Sequence, residues 1–109
     1  MNQTFDTLVT KATACQRACN HCYDACLNEE DIKMVANCIR TDRDCADICG
    51  MVVSFSDRDS EIFKDLVALC AKICDVCATE CEKHEHMSHC QACAVACREC
   101  EAACREFLA

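Results

Sequence analysis

The apolar positions of this chain recur every three or four residues in four stretches, which are separated by short polar segments. The last stretch, CQACAVACRECEAAC at residues 90–104, shows the pattern most clearly because cysteine forms its apolar stripe. A mean step of 3.5 residues keeps side chains on the face of an α-helix that packs against neighbouring helices. The pattern therefore predicts four amphipathic helices whose buried faces carry thiols.

The cysteines fall into four groups, one on each predicted helix. Nearly every step within a group is three or four residues, and the step of seven from Cys38 to Cys45 is one heptad with Asp42 in the skipped slot. The sixteen cysteines are Cys15, Cys19, Cys22, Cys26, Cys38, Cys45, Cys49, Cys70, Cys74, Cys77, Cys81, Cys90, Cys93, Cys97, Cys100 and Cys104.

Polar residues between the groups predict where the helices begin. Asn28, followed by three acidic residues, is a candidate N-cap for the second helix. Ser56 with Asp59, and Ser88 with Gln91, resemble capping boxes for the third and fourth helices. The predicted helices are 4–27, 30–54, 58–84 and 88–107.

A single glycine and no proline leave few residues for turns, which favours an all-helical fold. A chain of 109 residues suits one domain, so we assign residues 1–109 to a single unit. Short connections make successive helices antiparallel. The predicted fold is an all-α, up-down-up-down four-helix bundle with a cysteine-lined core.

In this topology the two ends of the bundle carry different side chains. The first, the aromatic end, is expected to collect Phe5, Leu8, Val52, Phe55, Phe63, Leu66, Phe107 and Leu108. The second, the histidine end, is expected to collect Met34, His84, His86, Met87 and His89. All of these except His86, which is expected to be exposed, are candidate metal ligands or gate residues. Met34 lies four residues before Cys38 and is predicted to extend that cysteine stripe. Asp42 either binds an ion, accepts a hydrogen bond from a thiol or turns toward solvent.

Charge and the N-terminal sequence restrict the environment and the partners. A net charge of −8 argues against binding to nucleic acid, which requires clustered lysine and arginine. The sequence contains no apolar run near the ~18 residues of a membrane helix. The N-terminal residues lack the basic and apolar regions of a signal peptide, so we expect a cytoplasmic protein with reduced thiols.

Three explanations of the cysteines fit the pattern poorly. Thiols fill a core less well than leucine does, so packing alone does not explain sixteen of them. Disulfides need Cβ directions that successive turns of a regular helix do not supply. Iron–sulfur proteins use cysteine runs in loops that wrap a cluster. Metal ions bound by thiolates remain, because residues three or four apart on a helix lie close enough to share one ion.

The charge of the core favours a monovalent metal. Four Zn²⁺ ions carry +8 against the −16 of sixteen thiolates and leave −8 inside the bundle, whereas sixteen Cu⁺ ions leave no net charge. Thiolate and thioether ligands also select Cu(I). A zinc or general heavy-metal buffer and a thiol redox protein remain as alternative functions.

The four cysteine stretches resemble those of the bacterial copper storage proteins, which are cysteine-lined four-helix bundles. The resemblance covers the whole chain through CQRACNHCYDAC, CIRTDRDCADIC, CAKICDVCATEC and CQACAVACRECEAAC. It implies storage or detoxification of many Cu(I) ions in the cytosol, without catalysis, and passage of copper through the histidine end. It also implies a homotetramer, and a copper chaperone is the candidate delivery partner. Asp42 departs from the all-cysteine pattern.

A second apolar stripe lies beside the cysteines of the third helix, at Leu66, Leu69, Ile73 and Val76. A helix in a small bundle needs only one apolar face. The surplus predicts a contact between subunits, and a generous core margin is the alternative explanation.

Overall fold

The regular secondary structure of the described part of the chain is helical throughout, as the sequence predicts. The computed structural model describes residues 2–109. Its elements are α1 (Gln3–Leu27), a 3₁₀ turn (Ile32–Val35), α2 (Ala36–Ser56), α3 (Phe63–Glu82) and α4 (Ser88–Leu108). The predicted all-α fold class is confirmed.

The four helices form an elongated bundle in which each helix packs against two neighbours. Helix α1 contacts α2 and α4, and α3 contacts the same two helices from the opposite corner. The molecule measures 45 × 18 × 17 Å, so its length is that of one helix with its connecting turns. Of the helices described, none is long and apolar enough to cross a membrane.

Two asparagines cap the ends of α1, and the role of one of them differs from the sequence prediction. The Asn2 side chain accepts a hydrogen bond from the backbone N–H of Phe5 at 2.8 Å and caps the start of α1. The backbone N–H of Asn28 donates to carbonyls of the last turn of α1. Asn28 therefore ends α1, and its predicted role as the N-cap of the next helix is wrong.

The start of α2 also differs from the prediction. The Asp31 side chain accepts from the backbone N–H of Met34 and starts a 3₁₀ turn, which has about three residues per turn instead of 3.6. This tighter winding rotates Val35 into the core, where it is fully buried, and leaves Met34 45% exposed. The prediction that Met34 extends the inward cysteine stripe is therefore wrong.

Neither predicted capping box forms. Ser56 is the last residue of α2, and its hydroxyl donates to the Val53 carbonyl at 2.6 Å. Helix α3 consequently begins at Phe63 and not at residue 58. Ser88 makes no capping hydrogen bond.

Gln91 binds the end of the preceding helix in place of its own N-terminus. Its Nε2 donates to the carbonyls of His84, at 3.0 Å, and Cys81, at 3.4 Å. The last carbonyls of a helix have no hydrogen-bond partner within that helix. The carbonyls at the end of α3 therefore bind the Gln91 side-chain amide, which is then not available to cap α4. The α3–α4 turn is held closed by this contact.

The aromatic end is closed by three phenylalanines, one each from α1, α3 and α4. The ring of Phe5 lies 6.2 Å from those of Phe63 and Phe107, which are themselves 5.6 Å apart and nearly perpendicular. Leu8 is fully buried in the core. Leu108, predicted to be part of this cluster, is 36% exposed because α4 ends there.

The second apolar stripe of α3 reaches the surface. Leu66 belongs to the core, whereas Leu69 and Val76 are about half exposed. With Ile73 and the neighbouring Lys72, they line a shallow groove of about 260 Å³ between α3 and α2. The stripe is thus an apolar surface of the single chain.

The only glycine lies at a close approach of α1 and α2. A Cβ atom at Gly50 would lie 2.6 Å from Nε2 of Gln16, which is the far end of a flexible, partly buried side chain. Alanine is therefore accommodated when Gln16 swings outward, while a larger side chain meets the body of α1.

We expect Gly50→Ala to raise the free energy of unfolding by up to about 1 kcal/mol, because alanine loses less backbone entropy in a helix. Gly50→Leu should lower it by about 1–3 kcal/mol through overpacking. Urea unfolding of the reduced protein measures both values. A stability loss in Gly50→Ala as large as that in Gly50→Leu would contradict the proposed freedom of Gln16.

Candidate metal centre

All sixteen cysteines point into the bundle. Each is fully buried, and each is a free thiol in the structure. The alternation of three- and four-residue steps accounts for this placement, because it returns successive cysteines to the inner face of every helix. The predicted cysteine-lined core is confirmed.

Neighbouring sulfur atoms lie 3.3–4.0 Å apart. Cysteines four residues apart on one helix, such as Cys15 and Cys19, have Sγ atoms 3.9 Å apart. Distances across helices are similar: Cys15 Sγ lies 3.7 Å from Cys97 Sγ, and Cys38 Sγ lies 3.3 Å from Cys81 Sγ. Metal–sulfur bonds of ~2.3 Å hold two sulfurs at most ~4.6 Å apart, so these pairs are spaced to share ions.

The sulfurs form overlapping groups of four whose ligand atoms lie within 4.8 Å of one another. One group takes a single cysteine from each helix, and the groups along the axis share members such as Cys15 and Cys19. Three of these groups are Cys15, Cys49, Cys74 and Cys100; Cys15, Cys19, Cys45 and Cys97; and Cys19, Cys77, Cys93 and Cys97. Shared members make the core one continuous thiol ladder.

Asp42 lies inside the ladder, among the thiols of three helices. Its side chain is fully buried, and its Oδ1 accepts hydrogen bonds from the thiols of Cys93 at 3.3 Å, Cys77 at 3.4 Å and Cys81 at 3.7 Å. Burial, and then the neighbouring thiol Cys93, raise the pKa of the Asp42 carboxyl far above its ordinary value. Asp42 does not turn toward solvent, so that alternative is wrong.

His89 lies at the top of the ladder. Its Nδ1 is 3.5 Å from Cys90 Sγ, 3.6 Å from Cys22 Sγ and 3.8 Å from Cys26 Sγ. Its Nε2 lies 3.0 Å from Oε2 of Glu29. Burial lowers the pKa of His89, but the hydrogen bonds to Cys22 and Glu29 outweigh burial, and the net pKa is raised.

His84 and Met87, two of the other predicted residues of the histidine end, lie in the α3–α4 turn. His84 is buried and its Nε2 lies 3.2 Å from Oε2 of Glu80, while Met87 is buried beside the ladder's end. Hydrogen bonds from Asn37, His84 and Lys83 outweigh the opposing effect of burial and lower the pKa of Glu80. His84 is therefore held by a carboxylate through Nε2.

Sequence reasoning missed both carboxylates that hold the histidines. Glu80 precedes His84 by four residues, which is a helical pairing distance, so its contact could have been found. Glu29 and His89 are sixty residues apart, and the sequence carries no signal of that contact.

Burial also affects the thiols nearest the histidine end. It raises the pKa of Cys26 and of Cys90 well above the ordinary thiol value. Both thiols therefore keep their protons at neutral pH in the metal-free protein. A metal ion that binds them must displace those protons.

Known proteins share this arrangement. The family model described as "Csp: Copper storage protein" matches residues 1–109. A Bacillus subtilis (strain 168) relative, described as the uncharacterized cysteine-rich protein YhjQ, is 47% identical over 96 residues, which is 88% of each chain.

Solved structures of copper-loaded proteins match over nearly the whole chain. The Cu(I)-bound copper storage protein BsCsp3 matches with a TM-score of 0.92 and 45% identity, over 98% of this chain and 100% of that one. A cytosolic copper storage protein from Streptomyces lividans, with five coppers, matches with a TM-score of 0.93 and 37% identity, over 97% and 92%. This chain therefore belongs to the Csp family of copper storage proteins.

Proposed function

We propose that this protein stores Cu(I) as thiolate-bound ions along the axis of its bundle. The observation that carries the proposal is the continuous ladder of sixteen buried cysteines, in which neighbouring sulfurs lie 3.3–4.0 Å apart. Bridging thiolates each serve two ions, so such a ladder accommodates a number of ions close to the number of cysteines.

The charge of the core supports a monovalent ion. Among the buried polar side chains of residues 2–109 there is no lysine or arginine to balance excess thiolate charge. One Cu⁺ for each thiol proton keeps the interior neutral, whereas four divalent ions, each bound by four of the sixteen thiolates, leave a buried charge of −8. Thiolate is also a soft ligand that selects Cu(I). Zinc storage is therefore the weaker candidate.

The proposed ligands are the sixteen cysteines together with Asp42 and His89. Asp42 lies within hydrogen-bonding distance of four thiols, and His89 Nδ1 faces three others, which supports oxygen and nitrogen ligation at those levels of the ladder. We assign His84, Met87 and Met34 to the passage of copper at the histidine end. Met34, although misplaced by the sequence prediction, offers an exposed thioether there.

Copper uptake is an exchange of Cu⁺ for thiol protons. At full loading each Cu⁺ replaces one thiol proton, which is released to solvent, so acid weakens binding. Nothing in this process converts a substrate, and we infer that the protein binds its cargo without catalysis.

The compartment and the oligomeric state that we propose are supported by a relative and by the apolar surface of α3. The Streptomyces relative is described as cytosolic, which supports storage in a reducing compartment. The exposed Leu69 and Val76 support a homotetramer assembled through α3, and a copper chaperone is the proposed donor.

An anaerobic titration with Cu(I) in the presence of a strong competing chelator tests the storage function. We expect saturation near one ion for each cysteine, because bridging thiolates each serve two ions. Replacing Cys45, which contacts three other sulfurs, by serine should lower the capacity by at least one ion. Saturation at one or two ions would overturn storage, and four tightly bound Zn²⁺ ions would favour a zinc buffer.

Alkaline pH should destabilise the metal-free protein but not the copper-loaded one. The unfolded chain loses its thiol protons near the ordinary pKa of 9.0, while burial lets folded Cys26 and Cys90 keep theirs. The stabilising contribution is therefore complete below about pH 9 and decreases as the pH rises above it. In the loaded protein copper has replaced these protons.

Thermal melts of both forms from about pH 7 to 10.5, under reducing anaerobic conditions, measure this difference. The double variant Cys26→Ser/Cys90→Ser, with two fewer titrating thiols, should show a shallower decrease in Tm when metal-free. Equal pH slopes for the metal-free and loaded proteins would contradict the exchange of protons for copper.

A further inference from the structure

Glu29 contacts the histidine end from outside the cysteine ladder. It lies in the link between α1 and the 3₁₀ turn, and its carboxylate reaches across to the first turn of α4. We propose that Glu29 is a positioning residue that orients His89 so that the Nδ1 lone pair faces the uppermost thiols. This inference rests on the proposed copper function.

The backbone fixes the position of Glu29. Its N–H donates to the Cys26 carbonyl at 3.2 Å, in the last turn of α1. Asn28, directly before it, is bound to the same turn through both its backbone and its side chain. The carboxylate is therefore anchored beside Cys26, one of the three thiols that surround His89.

The contact selects one imidazole tautomer. A neutral imidazole carries one proton, and a metal binds only the nitrogen without it. The Glu29 carboxylate accepts the Nε2–H at 3.0 Å, so the proton stays on Nε2. In this neutral tautomer Nδ1 carries no proton, so its lone pair is available to a metal. Nδ1 lies 3.5–3.8 Å from the sulfurs of Cys22, Cys26 and Cys90.

Partial burial distinguishes this pair from an ordinary surface ion pair. The side chain of His89 is 14% exposed and that of Glu29 is 34% exposed. Fully exposed pairs contribute little to stability. Carboxylates that hold a metal-binding histidine typically alter metal affinity or activity by about 10–100-fold when removed. A positioning role therefore predicts a large effect on copper uptake and a small one on stability.

The chain provides a matched control next to the proposed residue. Glu30 has the same charge, belongs to the same link and is exposed to solvent. Glu30→Ala changes the charge of the histidine end by the same amount as Glu29→Ala. Glu29→Gln keeps an oxygen that accepts from Nε2–H while removing the charge.

Long-range ¹H–¹⁵N NMR of the metal-free protein measures the tautomer directly. We expect the Nε2–H form to predominate for His89, whose signals are those lost in His89→Ala. Glu29→Ala should produce a mixture of tautomers, whereas Glu29→Gln and Glu30→Ala should retain the Nε2–H form. A predominant Nδ1–H form in the unaltered protein would overturn the proposal whether or not the protein stores copper.

Uptake of the first equivalent of Cu(I) from a coloured chelator complex measures the functional effect. We expect Glu29→Ala to slow uptake about tenfold, with Glu29→Gln and Glu30→Ala within about twofold of the unaltered protein. In a His89→Ala background, Glu29→Ala should cause no further slowing, because it acts through the imidazole. Equal slowing by Glu29→Ala in both backgrounds, or slowing by Glu29→Gln as large as that by Glu29→Ala, would overturn the positioning role.

These outcomes separate the two proposals. A protein that saturates near one Cu(I) for each cysteine, and whose uptake is unchanged in Glu29→Ala, keeps the storage function and loses this inference. A protein that saturates at one or two ions loses the storage function itself.

Discussion

The burial of sixteen thiols in one small core is the constraint on which the rest of this structure depends. A thiol is a small, weakly polar group, so a core built from it buries less apolar area than one built from leucine. The bundle compensates at its aromatic end, where Phe5, Phe63 and Phe107 pack ring against ring. Such aromatic pairs each contribute about 0.5–1.5 kcal/mol beyond their buried area. Aromatic packing thus stabilises one end of the metal-free fold, and cysteine thiols line the rest of its core.

The same constraint explains why the core contains so few other polar groups. Asp42 is tolerated because thiols donate to its carboxyl oxygens, which satisfies a group that would be costly to bury alone. His89 is tolerated because both ring nitrogens have partners, sulfurs on one side and Glu29 on the other. These two residues lie toward the histidine end, so the ladder is all sulfur near the aromatic end and of mixed donors near its opposite end.

Sequence and structure differ mainly where a helix begins. The cysteine period predicted the helices themselves, because side chains that recur every 3.5 residues must share one face. Capping motifs were less reliable: Ser56 and Gln91 both bind carbonyls of a preceding turn or helix instead of N–H groups of their own. A short polar side chain can bind N–H groups at the start of a helix or carbonyls at the end of one. Which of the two it binds depends on which backbone groups nearby remain unpaired. Met34 was misplaced for a related reason, because a 3₁₀ turn changes the angle between successive residues.

The sequence by itself determined the helical fold class, the inward direction of the cysteines and the preference for a soft monovalent ion. Each of these three properties follows from local periodicity or from the balance of charges. Periodicity and charge can both be read from the sequence without knowing which helices touch. Only the tertiary structure decided which sulfurs face one another, that Asp42 is enclosed by thiols of neighbouring helices, and that Glu29 holds His89. Those contacts join residues that are distant in the chain, and their distances depend on how far the helices rotate and slide when they pack.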